Sequence, residues 1–283
     1  MVWVGSDAMR NLVRTHLALV ALLAIAWSPA PARAAPEAGD IKEIRARAER
    51  GDAAGAYELG LHYSEGPEAT RDIAEGLRWF NRAAKAGNVL AMWELGHHYR
   101  LGRGVAVDGA KAVRWYRRSA KAGHAPAMYS LGLIHTTGEV VERDDKEALR
   151  WFRRGAAAGH ASSMKSVGVM YANAHGVARN DAEALRWYLR AAEAGDASGM
   201  NNVGVAHATG LGTPIDYAEA MRWYLRAAEA GSAQAMQAIG FMYANGQGVA
   251  RDEAEAMSWY RRAVNAGYEG PSPLVDLRGP IKL

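Results

Sequence analysis

"RWYLRAAEAG" occupies Arg186–Gly195 and returns without a change at Arg222–Gly231, 36 residues later. A catalytic loop is needed once per site, whereas a stretch reused at a fixed spacing marks a building unit. Outward from this stretch the spacing holds. Trp79, Trp115, Trp151, Trp187, Trp223 and Trp259 each lie 36 residues apart. The glycine rows beginning at Gly51 and at Gly60 keep the same period as far as Gly267 and Gly240. Six full units follow without insertion: 51–86, 87–122, 123–158, 159–194, 195–230 and 231–266.

Each unit reads as two helices. In "GNVLAMWELGHHYRLGRG", Asn88 is placed to cap the first helix, and Ala91, Met92, Leu95, Gly96 and Tyr99 share one face at i, i+3, i+4 spacing. A Gly-x-Gly break follows. The second helix opens at Asp108, puts Ala112, Trp115, Tyr116, Ser119 and Ala120 on one face, and stops at Gly123. Small residues such as Gly96 and Ala120 predict close helix contact, with the Trp-Tyr pair filling the space between units.

The residues Leu95, Gly96, Tyr99, Gly102, Gly104, Val105, Asp108, Ala112, Trp115, Tyr116, Ala120 and Gly123 give a pattern that resembles the Sel1-like repeat, a relative of the tetratricopeptide repeat with a longer turn. The resemblance implies an all-α fold, a right-handed α-solenoid of six helix-turn-helix repeats. It also implies adaptor roles in bacterial signalling, envelope assembly or regulation of a membrane-bound partner. Local departures are Pro67 in the first turn, Ala174 and Asn180 in place of the usual Gly and Asp, and His135 and His207 in place of the Tyr.

The ends differ from the units. Arg10 and Arg14 precede the apolar run Leu17–Trp27, and Ala32-Arg33-Ala34 supplies an A-x-A cleavage pattern. Residues 1–34 are therefore expected to be a signal peptide, beginning at Met1 or Met9. The expected location of the mature chain is periplasmic or secreted. Residues 35–50 are expected to form a capping helix, with Glu43 where an inner unit has Trp, and residues 267–283 a proline-containing tail. Cysteine is absent, which excludes disulfides, cysteine-type zinc sites and the thiol a bacterial lipoprotein needs. The net charge of +4 falls to +2 once residues 1–34 are set aside, so no nucleic-acid partner is expected. Eleven apolar residues fall short of the about 20 a span requires, so the run is read as a leader rather than a span, and no stable membrane insertion is expected once it is cleaved.

Candidate chemistry is sparse. His97 and His98 are adjacent, and adjacent helical residues do not face one another, so no metal site is expected. His124 and His160 fall in the helix-cap column that elsewhere holds Asp52, Asn88, Asp196 and Ser232. Arg82, Arg118, Arg154, Arg190, Arg226 and Arg262 form one ladder, and Arg78, Arg114, Arg150, Arg186 and Arg222 another. Glu75, Glu147, Glu183 and Glu219 stand three residues before members of the second ladder, which favours a solvated outer face over a track for an anionic ligand. No nucleophile elbow or phosphate loop occurs, so no catalytic residue, enzyme activity or cofactor is expected.

What varies between units is the first helix. If the units stack as in related solenoids, these helices line the concave face. Tyr57, Trp93, His97, Tyr129, Lys165, Asn201, Asn202 and Gln237 are then the candidate groove residues for a protein or peptide ligand. The alternative is a peptidoglycan or other carbohydrate ligand stacked on Trp93 and Tyr129.

Overall fold

The computed structural model describes residues 38–270. The expected signal peptide, and all of the tail beyond Gly270, lie outside the described residues. Within them the chain forms thirteen α-helices and no strand. α1 (Ala38–Glu49) precedes six pairs: α2 (Ala53–Glu65) with α3 (Ile73–Lys85), α4 (Val89–Leu101) with α5 (Gly109–Lys121), and α6 (Ala125–Thr137) with α7 (Asp145–Ala157). Then come α8 (Ala161–Asn173) with α9 (Asp181–Glu193), α10 (Ala197–Thr209) with α11 (Tyr217–Glu229), and α12 (Ala233–Asn245) with α13 (Glu253–Asn265). This is the all-α solenoid of six 36-residue units that the periodicity predicts.

Contacts divide the chain into two compact blocks, with the division after Arg154. In the N-terminal block each helix from α1 to α6 packs on the next, and α2 also touches α4. In the C-terminal block the same holds from α8 to α13, with α8 touching α10.

Caps explain why every pair turns where it does. The carboxylate or amide of Asp72, Asp108, Asp144, Asn180, Asp216 and Asp252 accepts the backbone N–H three residues on, at 2.8–2.9 Å, and so opens each second helix. The backbone N–H of the same six residues donates to the carbonyl of Tyr63, Tyr99, His135, Tyr171, His207 and Tyr243, at 2.8–3.0 Å. That bond clips the two helices of a unit together through the main chain. It also accounts for the tolerance of His135 and His207, since the carbonyl, not the ring, makes the clip.

Between the two helices the chain must pass through a left-handed residue. Gly102, Gly138, Gly210 and Gly246 take this conformation at φ 66–76°. Ala174 takes it at φ 58°, the one non-glycine residue with positive φ among the described residues. The first turn departs as Pro67 suggests: Gly66 is not left-handed, and a short 3-10 segment, Glu68–Thr70, fills the connection.

The close helix contact expected at Gly96 has a specific form. A Cβ built at Gly60, Gly96, Gly132, Gly168, Gly204 or Gly240 would overlap the ring of Phe80, Tyr116, Phe152, Tyr188, Tyr224 or Tyr260 respectively. Each first helix therefore offers a socket into which the second helix of the same unit presses an aromatic ring. The tryptophans reach back to the preceding unit: Trp115 packs against the cluster around Leu77, Phe80 and Leu95, and Trp223 against that around Tyr188 and Val203. Trp79 and Trp151 are buried, while Trp115, Trp187, Trp223 and Trp259 are partly so.

Candidate partner-binding surface

The second helices carry a repeated polar device. The Glu that follows the cap accepts the indole N–H of the Trp four residues on, at 2.8 Å for Glu75–Trp79, 2.9 Å for Glu147–Trp151 and 3.0 Å for Glu183–Trp187. The other oxygen of the same carboxylate pairs with Arg78, Arg150 or Arg186, and Glu219 pairs with Arg222. The remaining arginine ladder stacks instead. The guanidinium carbons of Arg82, Arg118 and Arg154 lie 5.3, 4.7 and 4.9 Å from the rings of Trp79, Trp115 and Trp151. Those of Arg190, Arg226 and Arg262 lie 4.3, 4.3 and 4.5 Å from Trp187, Trp223 and Trp259. The two ladders read alike in sequence and do different things: one balances Glu charge, the other covers the tryptophans.

The first helices present the variable positions. None of the eight candidate groove residues is fully exposed. Tyr57, Trp93, His97, Tyr129, Lys165, Asn201 and Gln237 are partly buried, and Asn202 is buried. In the N-terminal block the aromatics among them are engaged with their neighbours. Tyr57 packs on Phe80 and Tyr129 on Phe152, at 5.9 and 5.7 Å between ring centroids. Trp93 meets His97 edge-on at 4.4 Å and His124 at 5.6 Å, and its indole N–H donates to Ser130 Oγ at 3.0 Å. These contacts, some of them one unit away, are packing roles that the sequence pattern does not display.

Beside them sits an ionisable cluster. Glu94 is only 9% exposed, and its carboxyl is pushed up to about 7 by burial and then by Glu65, with Arg103 opposing. Burial also raises Glu65, and raises the Tyr57 phenol with help from both carboxylates. His97 is pulled down to about 3 by burial and then by Arg100, Arg103 and His98, so it is neutral, and its Nε2 has no hydrogen-bond partner. His98 Nδ1 lies 2.7 Å from the Arg103 carbonyl. Among the described residues no group of three or more His, Cys, Asp or Glu side chains converges as a metal site would require. Of the two cap-column histidines, His160 Nδ1 accepts the Ser163 N–H at 3.2 Å, whereas the His124 side chain does not cap its helix and lies 3.1 Å from Ser119 Oγ instead.

In the C-terminal block the face is amide-rich. Asn201, Asn202 and Gln237 form no side-chain hydrogen bond among the described residues, although Asn202 is only 7% exposed. Glu94 in the N-terminal block is in the same state. By contrast, the repeated cap residues of the second helices are all bonded. Sequence reasoning named Asn201, Asn202 and Gln237 as binding residues and set Glu94 on the same face without giving it a role; that its carboxyl finds no hydrogen-bond partner in the fold was not foreseen. The signal was available in its column, which runs Glu58, Glu94, Ser130, Ser166, Asn202 and Ala238, polar in five places of six.

Comparison with known proteins agrees with this architecture. The family model for the Sel1 repeat matches residues 53–88, 89–124, 125–160, 161–196, 197–232 and 233–268. No curated protein is similar enough to count as a match. Among solved structures, c5321, described as a protective antigen present in uropathogenic Escherichia coli strains displaying an SLR fold, superposes with a TM-score of 0.74 at 33% identity over 81% of this chain. This chain spans about half, 49%, of that one. A Sel1 repeat protein from Oxalobacter formigenes gives 0.71 at 29% identity, covering 80% of this chain and 99% of its own. The immunity protein Pa5087 from Pseudomonas aeruginosa shares the fold alone, at 18% identity and a TM-score of 0.51. Six matched repeats, covering most of the chain, place this protein in the Sel1 repeat family.

Proposed function

We propose that this chain is a non-enzymatic scaffold of the bacterial cell envelope that holds a partner protein or peptide against the variable residues of its first helices. Sel1 repeat proteins typically serve as protein–protein interaction scaffolds, and the leader-like residues 1–34 support an exported location. The observation that carries the reading is unspent hydrogen-bonding capacity. The Asn202 carboxamide makes no hydrogen bond within the fold, and its column also accepts Glu, Ser and Ala, so packing gives no reason to keep an amide there. An extended peptide does, because a carboxamide both donates to and accepts from its backbone.

The carbohydrate alternative needs an open aromatic face. Trp93 is held between His97, His124 and Ser130, and Tyr129 lies against Phe152, so the protein reading is preferred. Photo-crosslinkers placed at position 201 and at exposed position 225 of α11 test it. Capture of a defined partner from position 201, weakened about tenfold by Asn202→Ala, is the expected result. Capture from position 225 alone, or binding to isolated peptidoglycan at either site, overturns it.

A further inference from the structure

The charge on the second helices is unevenly placed. α3, α5 and α7 of the N-terminal block carry twelve Lys or Arg against three carboxylates. α9, α11 and α13 of the C-terminal block carry six against seven. The modest net charge of the chain, +4, conceals this difference. It peaks in α5, where Lys111, Arg114, Arg117, Arg118 and Lys121 are all exposed and no acidic residue occurs between Gly109 and Lys121. Where every other second helix has Glu, α5 has Lys111. Arg114 thereby loses the carboxylate that Arg78, Arg150, Arg186 and Arg222 each have. Lys111 turns back to Asp108 at 3.1 Å. Among the described residues Arg114, Arg117, Arg118 and Lys121 form no ion pair, and the carboxylate whose field Arg114 shares, Asp108, is already held by Lys111.

Apart from Arg118 on Trp115 and Lys111 on Asp108, the fold does not call for this arrangement. Positions 111, 114, 117, 118 and 121 follow one another at i, i+3 and i+4, forming a single stripe roughly 15 Å long, and like charges at that spacing disfavour a helix. The other exposed residue within α5 is Ala110, so the stripe has no exposed aromatic or amide with which to read a base or a peptide backbone. It senses charge density alone. Arg118 is already held on the Trp115 ring, which reduces the ordering cost of using it. Guanidinium groups match phosphate oxygens in a bidentate manner.

We propose that the outer face of α5, flanked by α3 and α7, docks on an anionic lipid surface by binding headgroup phosphates. The surface is separate from the first-helix residues proposed to hold a protein partner, and either assignment stands without the other. A row of exposed cations on a helix suits a plane of headgroups, where each Lys or Arg near the surface strengthens binding about fivefold. A peptide ligand would instead need pockets to fix its register.

The test measures partition of the full chain onto phosphatidylglycerol vesicles and onto phosphatidylcholine vesicles, at low salt and in 0.5 M salt. Binding is expected to phosphatidylglycerol only, and to vanish in high salt. Arg114→Gln with Arg117→Gln and Lys121→Gln should weaken it roughly 100-fold. Arg186→Gln with Arg222→Gln and Arg261→Gln, in the C-terminal block, should weaken it less than about threefold. Circular dichroism melting of both triple variants confirms that they are folded. Equal losses for the two variants, equal binding to both lipids, or salt-insensitive binding overturn the proposal. So does preferential binding of the stripe to double-stranded DNA or to polyglutamate over the vesicles.

Discussion

The two helices of a unit obey different rules. The second helices repeat closely, and most repeated letters have a partner: the ring in its glycine socket, the Trp on the preceding unit, the Arg on the Trp, and in α3, α7 and α9 the Glu on both; the buried Trp259 indole N–H is an exception. The first helices repeat only where they receive those groups, as at Leu95 and Gly96, and vary elsewhere. Among these variable residues, Glu94, Asn201, Asn202 and Gln237 make no side-chain hydrogen bond among the described residues. The fold is thus specified largely by one helix of each pair, and the other carries the residues we propose for binding.

The largest effect should come from the repeated side. Tyr224→Ala empties the Gly204 socket at a residue 4% exposed and should destabilise the protein by about 3–5 kcal/mol. Urea unfolding measures it. A loss no larger than that of Asn201→Ala would erase the distinction between the helices.

Glu94 sharpens it. The folded carboxyl ionises near 7 and an unfolded one near 4.5, so the unfolded chain gives up its proton first. Stability should be greatest below about pH 4.5 and fall as pH rises towards 7. Glu94→Gln should flatten that fall, gaining on the order of 1–2 kcal/mol above neutrality and nothing at pH 4.5. The same gain at both pH values would show that the group is not titrating in this range.

The smallest effect lies in the turn between helices. Ala174 holds a left-handed conformation that costs a non-glycine residue about 1–2 kcal/mol, against about 0.5–1 kcal/mol for the freedom glycine loses on folding. Ala174→Gly should therefore stabilise by about 0.5–1 kcal/mol, read as a raised melting temperature. Gly210→Ala, the converse change in the next unit, should lower it.

Much of this was legible in the sequence. The period, the caps at Asn88 and Asp108 and the departure at Pro67 each depend on residues close in the chain, which spacing rules describe. The substitution at Ala174 was visible too, though not that the chain would keep the left-handed turn there. What was not legible depends on a neighbour across the fold. Gly96 reads as a small residue, but only the position of Tyr116 shows that it is a socket. Trp93 reads as a free groove aromatic, but His124 and Ser130 come from the next unit to hold it. The two arginine ladders differ by four residues in register, and which one meets the indole face depends on rotamers that periodicity does not carry.

The glycine socket has an evolutionary corollary. Ring and socket always belong to one unit, so every 36-residue segment brings both halves of its own closure. Unequal recombination in phase would add or remove a whole segment without orphaning a ring, and the same event out of phase would leave a ring facing a side chain. Array length is therefore a cheap variable for this architecture and register an expensive one, in keeping with six tandem units that hold one register from Gly51 to Ala266.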